Sequence, residues 1–165
     1  MQRSLFAVAL VLGLAVLGCD SATDDTRFFQ ASLAGSNEVP PVSSGGNGTC
    51  GFQLEGDTIT FSIEAHGLSN VIGAHIHVGP STGVGPVRVV LWPEPGGPAI
   101  DTANPVASVN GILKAGSFNN AHVTGGLTFA DIVNQMQAGN TYCNVHTTRF
   151  PSGEIRGQIG LVNVD

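Results

Sequence analysis

The stretch that decides the fold is Asp57-Thr58-Ile59-Thr60-Phe61-Ser62-Ile63-Glu64-Ala65, in which polar and apolar side chains alternate strictly. A period of two places the apolar residues on one face of an extended strand and the polar residues on the other. Such a half-buried strand is typical of an antiparallel sheet. The preceding Glu55-Gly56-Asp57 predicts a tight hairpin turn.

Similar strand signals recur along the chain, separated by clusters of Gly, Asn and Pro. They predict further strands at residues 27–33, 49–54, 71–78, 87–91, 106–113, 141–147 and 154–162. One helix is predicted from Phe129 to Ala138, because Thr128 and Asp131 can form a capping box and Gly139 can end the helix. About eight strands and one short helix predict an all-β fold, an antiparallel two-sheet sandwich.

The first eighteen residues have the pattern of an export signal. A short basic start precedes an uncharged apolar run from Leu5 to Leu17, which is too short for a stable membrane anchor. Gly18-Cys19 resembles the cleavage box of bacterial lipoproteins, although Leu17 fills a position that is usually small. We therefore predict a signal peptide at 1–18 and lipidation of Cys19, with an ordinary signal peptide cleaved nearby as the alternative.

Both alternatives predict an exported protein, and lipidation would anchor it in the membrane of the bacterial cell envelope, facing the periplasm or the cell surface. Residues 19–26 are small, polar and acidic and predict a flexible tether. The remaining residues, 27–165, are enough for one domain with a real core, and no second composition shift divides them.

The charge balance excludes one class of partner. Removal of residues 1–18 takes away Arg3 and leaves five basic against twelve acidic residues, a formal net charge of −7. Such a surface repels phosphate backbones, so nucleic-acid binding is not expected. The sequence also offers no basic patch for anionic lipid, so the membrane is expected as a partner only through the N-terminal lipid.

Two cysteines remain besides Cys19. Cys50 is in phase with the apolar side chains of its strand, and Cys143 is in phase with Val145, so both thiols are expected to face the core. An even pair in an exported protein predicts a disulfide, and two buried free thiols are the alternative. In the chain-entropy model such a bridge would stabilise the fold by roughly 4–5 kcal/mol.

Three of the five histidines lie in strand-like segments. His75 and His77 alternate with apolar residues, so both imidazoles point to the same face, about 7 Å apart. His146 lies on the polar face of a later predicted strand. If the two strands meet, three neutral imidazoles converge, and such a set suits Cu or Zn with a further coordination position left open.

Four other residues are candidates for this neighbourhood. His66 and His122 are potential fourth ligands, and Glu154 and Arg156, which share one strand face, could contact and orient the histidines. The alternative is that these histidines are only polar residues on strand faces. The sequence contains no G-x-S-x-G motif, no H-E-x-x-H helix and no carboxylate pair with glycosidase spacing, which disfavours an enzyme.

Several segments together resemble the CHRD domain, a module named from chordin that is also found in many bacterial exported proteins. They occur in the family's order over nearly all of residues 28–160: Ala31-Ser32-Leu33-Ala34-Gly35-Ser36-Asn37-Glu38-Val39-Pro40-Pro41-Val42, Gly67-Leu68-Ser69, Ala74-His75-Ile76-His77-Val78-Gly79-Pro80, Gly85-Pro86-Val87, Ala138-Gly139-Asn140-Thr141-Tyr142, Asn144-Val145-His146-Thr147 and Pro151-Ser152-Gly153-Glu154-Ile155-Arg156-Gly157-Gln158.

The resemblance implies an immunoglobulin-like β-sandwich, and no general biochemical activity is firmly assigned to the family. Cys50 and Cys143 occupy positions where the family more often has small or apolar residues. This is expected of a disulfide that is specific to this chain and not general in the family. The spacing of the three histidines is similar to that of the copper site of Cu/Zn superoxide dismutases, an analogy of spacing and fold type only.

Two functions therefore compete. The first is a non-catalytic, lipid-anchored binding or structural module with an envelope or extracellular protein as its partner. The second is a copper- or zinc-binding protein that uses His75, His77 and His146, either as a carrier or in a superoxide-dismutase-like enzyme.

Overall fold

A computed structural model describes residues 26–163 of the chain. The predicted signal peptide, the lipidation site Cys19 and the tether before Thr26 lie outside the described residues. The described part contains β1 (Arg27–Ala34), β2 (Asn47–Glu55), β3 (Thr58–Leu68), β4 (Val71–Val78), β5 (Val87–Trp92), β6 (Val109–Phe118), α1 (Phe129–Gln137), β7 (Thr141–Thr147), β8 (Ile155–Gln158) and β9 (Gly160–Val162).

The strands form two antiparallel layers. One layer has the order β5-β4-β7-β8, and the other has the order β1-β2-β3-β6 with β9 also paired to β1. The layers are joined where β8 meets β1, and there only Ala34 and Arg156 are paired. The chain therefore forms the predicted all-β sandwich with one short helix, because the sheet can bend where the pairing is reduced to a single residue pair.

The apolar faces of the two layers pack against each other and form the core. The alternating residues of β3 behave as predicted, since Ile59, Phe61, Ile63 and Ala65 are all buried. The disulfide predicted between Cys50 of β2 and Cys143 of β7 is present, with Cα atoms 6.7 Å apart. It links the two layers through the middle of the core.

The helix follows its sequence signals closely. The Thr128 side chain accepts a hydrogen bond from the Asp131 N–H, and the Asp131 carboxylate accepts one from the Thr128 N–H. Gly139, with φ of +66°, follows the helix in a left-handed conformation that favours glycine. The hairpin between β2 and β3 likewise turns at Gly56, where φ is +54°.

Two strand predictions need correction. The strand predicted at 106–113 is β6, which begins at Val109, since Val106 makes only an isolated bridge with Val71. The strand predicted at 154–162 is divided at Ile159, because β8 pairs with β7 and meets β1 only at Arg156, whereas β9 pairs with β1 in the other layer.

Both faces of β4 and β7 are buried. One face belongs to the core between the layers, and loops that follow β4, β5 and β7 cover the other. In the described part of the chain, residues 26–163, no helix combines the length and the hydropathy of a transmembrane helix.

Candidate metal centre

The register of β4, β7 and β8 places a row of polar residues beneath the covering loops. His75 lies opposite Asn144, and Asn144 lies opposite Arg156 on the next strand. His77 lies opposite Tyr142 in the neighbouring row. Side chains that are directly opposite in an antiparallel pair share a face, so these five form one polar layer on the side of the sheet away from the core.

The three predicted histidines meet in this layer. His75, His77 and His146 each offer one ring nitrogen, and these nitrogens lie within 4.8 Å of one another. All three side chains are buried, with exposed fractions of 1%, 8% and 5%. We call this set the histidine triad.

Each ring of the triad is held by a backbone carbonyl from a covering loop. His75 Nε2 donates to Ala99 O at 2.5 Å, His77 Nδ1 to Gly85 O at 2.8 Å and His146 Nδ1 to Pro151 O at 3.0 Å. A carbonyl oxygen only accepts, so the nitrogen facing it carries the proton. The carbonyls therefore fix the tautomer of every ring, as the outer partners of metal-binding histidines do.

In these tautomers the other ring nitrogens are unprotonated acceptors: His75 Nδ1, His77 Nε2 and His146 Nε2. His75 Nδ1 lies 2.9 Å from His146 Nε2, so two acceptor atoms face each other at hydrogen-bonding distance. His77 Nε2 is buried, and within residues 26–163 it has no hydrogen-bond partner. Buried acceptors left in this state are costly. A cation placed between the three nitrogens would satisfy all of them.

Burial keeps the triad neutral. Desolvation lowers the pKa of His75 to about 3, assisted by the neighbouring His146, and lowers the pKa of His146 to about 4. The pKa of His77 is lowered as well, again mainly by burial. A neutral imidazole is the form that binds metals, so no proton has to leave before an ion enters near pH 7.

Arg156 and Glu154 occupy different positions around the triad. The Arg156 guanidinium lies 3.4 Å from the centre of the Tyr142 ring, and that ring stacks on His77 with 4.7 Å between the ring centres. Arg156 therefore supports His77 indirectly. Glu154 instead accepts hydrogen bonds from the hydroxyls of Ser44 (2.7 Å) and Thr147 (2.6 Å). It therefore joins the loop after β7 to the end of β7 and to the segment before β2, and no hydrogen bond links it to a ring of the triad.

The two proposed fourth ligands lie elsewhere. His66 contacts Glu64, and His122 bonds to Asn119 at a short 3₁₀ turn, so neither joins the triad. Instead, the Asn144 side-chain oxygen lies 3.0 Å from His146 Nε2. In the sequence, Asn144 has the same strand phase as His146. An asparagine on a polar strand face does not by itself indicate a contact with a metal site, so Asn144 was not predicted.

Three neutral nitrogen ligands with fixed tautomers suit copper or zinc better than calcium or magnesium, which prefer oxygen. Zinc sites with three protein ligands keep a further position for water or another group. The carbonyls of Ala99, Gly85 and Pro151 were not predicted, because main-chain oxygens carry no residue-type signature.

The fold and this layer define a β-sandwich module with a polar cluster covered by loops. The chain belongs to the CHRD domain family, whose family model matches residues 29–159, in agreement with the resemblance of its sequence segments. No curated protein and no solved structure shows significant similarity to the chain.

Proposed function

We propose that the protein is an exported, membrane-anchored and non-catalytic binding module, and that it binds one copper or zinc ion at the histidine triad. The observation that carries the proposal is the 2.9 Å approach of His75 Nδ1 to His146 Nε2. Because carbonyl oxygens accept hydrogen bonds at the other nitrogen of each ring, we infer that both facing nitrogens carry lone pairs. A hydrogen-bonded structural cluster would place a donor opposite an acceptor. A metal ion removes this conflict.

Export and anchoring are supported by separate features. The disulfide between Cys50 and Cys143 is of the kind that persists in oxidising compartments. The apolar run before Cys19 supports secretion, and the lipoprotein-like box at Gly18-Cys19 supports a lipid anchor in the cell envelope.

Copper is the ion we expect to bind more tightly. Affinity of nitrogen sites for divalent ions rises towards Cu²⁺ and falls again at Zn²⁺. We favour a carrier or store over an enzyme, because the triad is buried under three loops. A superoxide-dismutase-like activity would additionally require an accessible coordination position and redox turnover.

A binding module without a metal is the second candidate function, favoured by membership of the CHRD family. In that case the triad contributes only to the packing of the covering loops, and the partner is an envelope or extracellular protein. The two candidates differ in what substitution of the triad changes: metal uptake in the first, stability alone in the second.

The deciding experiment is a titration of the purified protein with Cu²⁺ and with Zn²⁺. We expect one equivalent to bind tightly to the parent and none to the variant with His75→Ala, His77→Ala and His146→Ala. The single variants His66→Ala and His122→Ala are matched controls, since they remove imidazoles outside the triad and should keep full uptake.

A near-isosteric His77→Gln variant covers the case in which the triple variant does not fold, because it removes a ligand at little cost in volume. We expect it to bind at least tenfold more weakly. Absence of stoichiometric uptake by the parent, or equal uptake by the triad variants, would leave the metal-free module as the function.

A further inference from the structure

A cavity of about 420 Å³ opens beside the triad, on the same face of the sheet. Arg156 and Gln158 of β8 line it, together with the segment from Ser36 to Pro41 and Ser81 of the loop after β4. Arg156 and the Tyr142 ring on which it packs stand between this cavity and His77. We call it the Arg156 cavity.

The charge of Arg156 is buried, and within residues 26–163 it forms no ion pair. The side chain is 1% exposed, and its guanidinium donates one hydrogen bond, to Pro80 O at 2.8 Å. Between residues 26 and 163 no carboxylate oxygen lies within 4 Å of it. A buried cation without a counter-ion is strongly unfavourable, whereas a paired one is tolerated.

Two other residues that line the cavity carry unsatisfied acceptors. Glu38 Oε1 and Gln158 Oε1 are both buried, and neither has a hydrogen-bond partner in the described part of the chain. Glu38 is 7% exposed, and desolvation raises its pKa to about 7 although the charge of Arg156 acts in the opposite direction. With a pKa near 7 Glu38 is only partly ionised at neutral pH, so it neutralises the charge of Arg156 incompletely, and among the described residues neither acceptor has a donor.

We propose that the Arg156 cavity binds a small carboxylate that carries its own hydroxyl or N–H donor, such as a short 2-hydroxy acid. The carboxylate would pair with the guanidinium of Arg156, a geometry that permits two parallel hydrogen bonds. The donor would serve Glu38 or Gln158. The cavity is large enough for a ligand of this size, and the site does not depend on a metal at the triad.

Glycolate and acetate are the probes, since they differ by the hydroxyl that the cavity is expected to recognise. Calorimetric titrations of the metal-free full chain should show saturable binding of glycolate, with acetate bound about fivefold more weakly, as for one lost hydrogen bond. Loss of the guanidinium in Arg156→Gln should weaken glycolate binding tenfold or more.

A pair of surface variants tests the location without disturbing the buried layer. Ser81 is exposed and lines the cavity, so Ser81→Trp should obstruct it and abolish glycolate binding. Thr82→Trp is the matched control, because Thr82 is the exposed neighbour and does not line the cavity. If Arg156→Gln does not fold, this pair decides the question alone.

Failure of glycolate to bind the parent, or equal binding by Ser81→Trp and the parent, overturns the proposal. Equal affinities for glycolate and acetate would also overturn it, because the unsatisfied acceptors would then have no role. Since every titration uses metal-free protein, these outcomes are independent of whether the triad holds an ion.

Discussion

The approach of the Ala99 carbonyl to His75 depends on a residue without a side chain. A Cβ atom on Gly73 would lie 2.6 Å from Ala99 O and 3.2 Å from His75 Nε2. An alanine at this position must therefore displace the loop backbone that fixes the tautomer of His75. Partners of this kind typically contribute tenfold or more to metal affinity.

We accordingly expect Gly73→Ala to weaken zinc binding about tenfold in a competition titration with a chelator. Gly51→Ala is the control, since a Cβ on Gly51 would meet nothing within 4 Å. An unchanged affinity in Gly73→Ala would show that the Ala99 carbonyl does not position the ligand.

Glu38 gives the protein an unusual dependence on pH. Burial raises its pKa from 4.5 to about 7, so the folded state binds more protons than the unfolded state between these values. Its contribution to stability is therefore greatest below pH 4.5 and is lost as the pH rises through 7. Above pH 7 the buried, ionised carboxylate of Glu38 therefore destabilises the folded state.

We predict that Glu38→Gln, which keeps the shape and removes the charge, stabilises the ligand-free protein by about 2 kcal/mol more at pH 8 than at pH 4.5, after allowance for solvent screening. Urea unfolding of both proteins at the two pH values measures this, and the comparison cancels the titration of groups common to both. A stability difference that does not change with pH contradicts the assignment.

At the scale of the element, the Tyr142 phenol holds the C-terminal end of the loop from Gly79 to Pro86, while Arg156 and Gln158 bond to its first residues. The Gly85 N–H donates to the Tyr142 hydroxyl at 3.0 Å, while the Gly85 carbonyl holds His77. A Cβ on Gly85 would lie 1.8 Å from Val78 O, so only glycine permits this approach of the loop to the end of β4.

Tyr142→Phe removes the hydroxyl that accepts from the Gly85 N–H and donates to Gly85 O at 3.3 Å, and it preserves the stack on His77. A neutral hydrogen bond contributes about 1 kcal/mol, so we expect the Gly85 amide to exchange about fivefold faster with solvent. The Val71 amide, bonded to Val106 O at 2.9 Å, should be unaffected and is the internal control. Equal protection of the Gly85 amide in both proteins would mean that other contacts hold the loop.

Elements whose signals are local were predicted well from the sequence. The limits of β4 and β7 match the prediction, and the capping box of Thr128 and Asp131 places the start of α1 correctly. The start of β6 was misplaced because it depends on pairing with β3, and that pairing contains register shifts. The periodicity of residues 106–113 does not reveal where pairing with β3 begins, because β3 is distant in sequence.

At the scale of the whole molecule, convergence of the triad follows from one topological fact, the pairing of β4 with β7. Period-two spacing of His75 and His77 predicted their common face, and the phase of His146 predicted its polar face. The Arg156 cavity had no such signal. It arises where β8 meets the segment after β1, a long-range arrangement that no single stretch encodes.

The disulfide links the two layers from the face of β7 opposite to the triad. Cys143 lies between Tyr142 and Asn144 in sequence, but its side chain points into the core toward Cys50. A bridge between residues 93 positions apart stabilises a fold by roughly 4–5 kcal/mol in the chain-entropy model. Stability and metal binding should therefore be separable.

We predict that the variant with Cys50→Ala and Cys143→Ala loses about 4 kcal/mol of unfolding free energy in urea titrations, yet still binds one equivalent of zinc wherever it remains folded. Its matched comparison is His77→Gln, which should bind the metal at least tenfold more weakly and keep most of its stability. Loss of zinc from the folded cysteine variant would show that the covalent link between the layers, and not the covering loops alone, holds the triad in place.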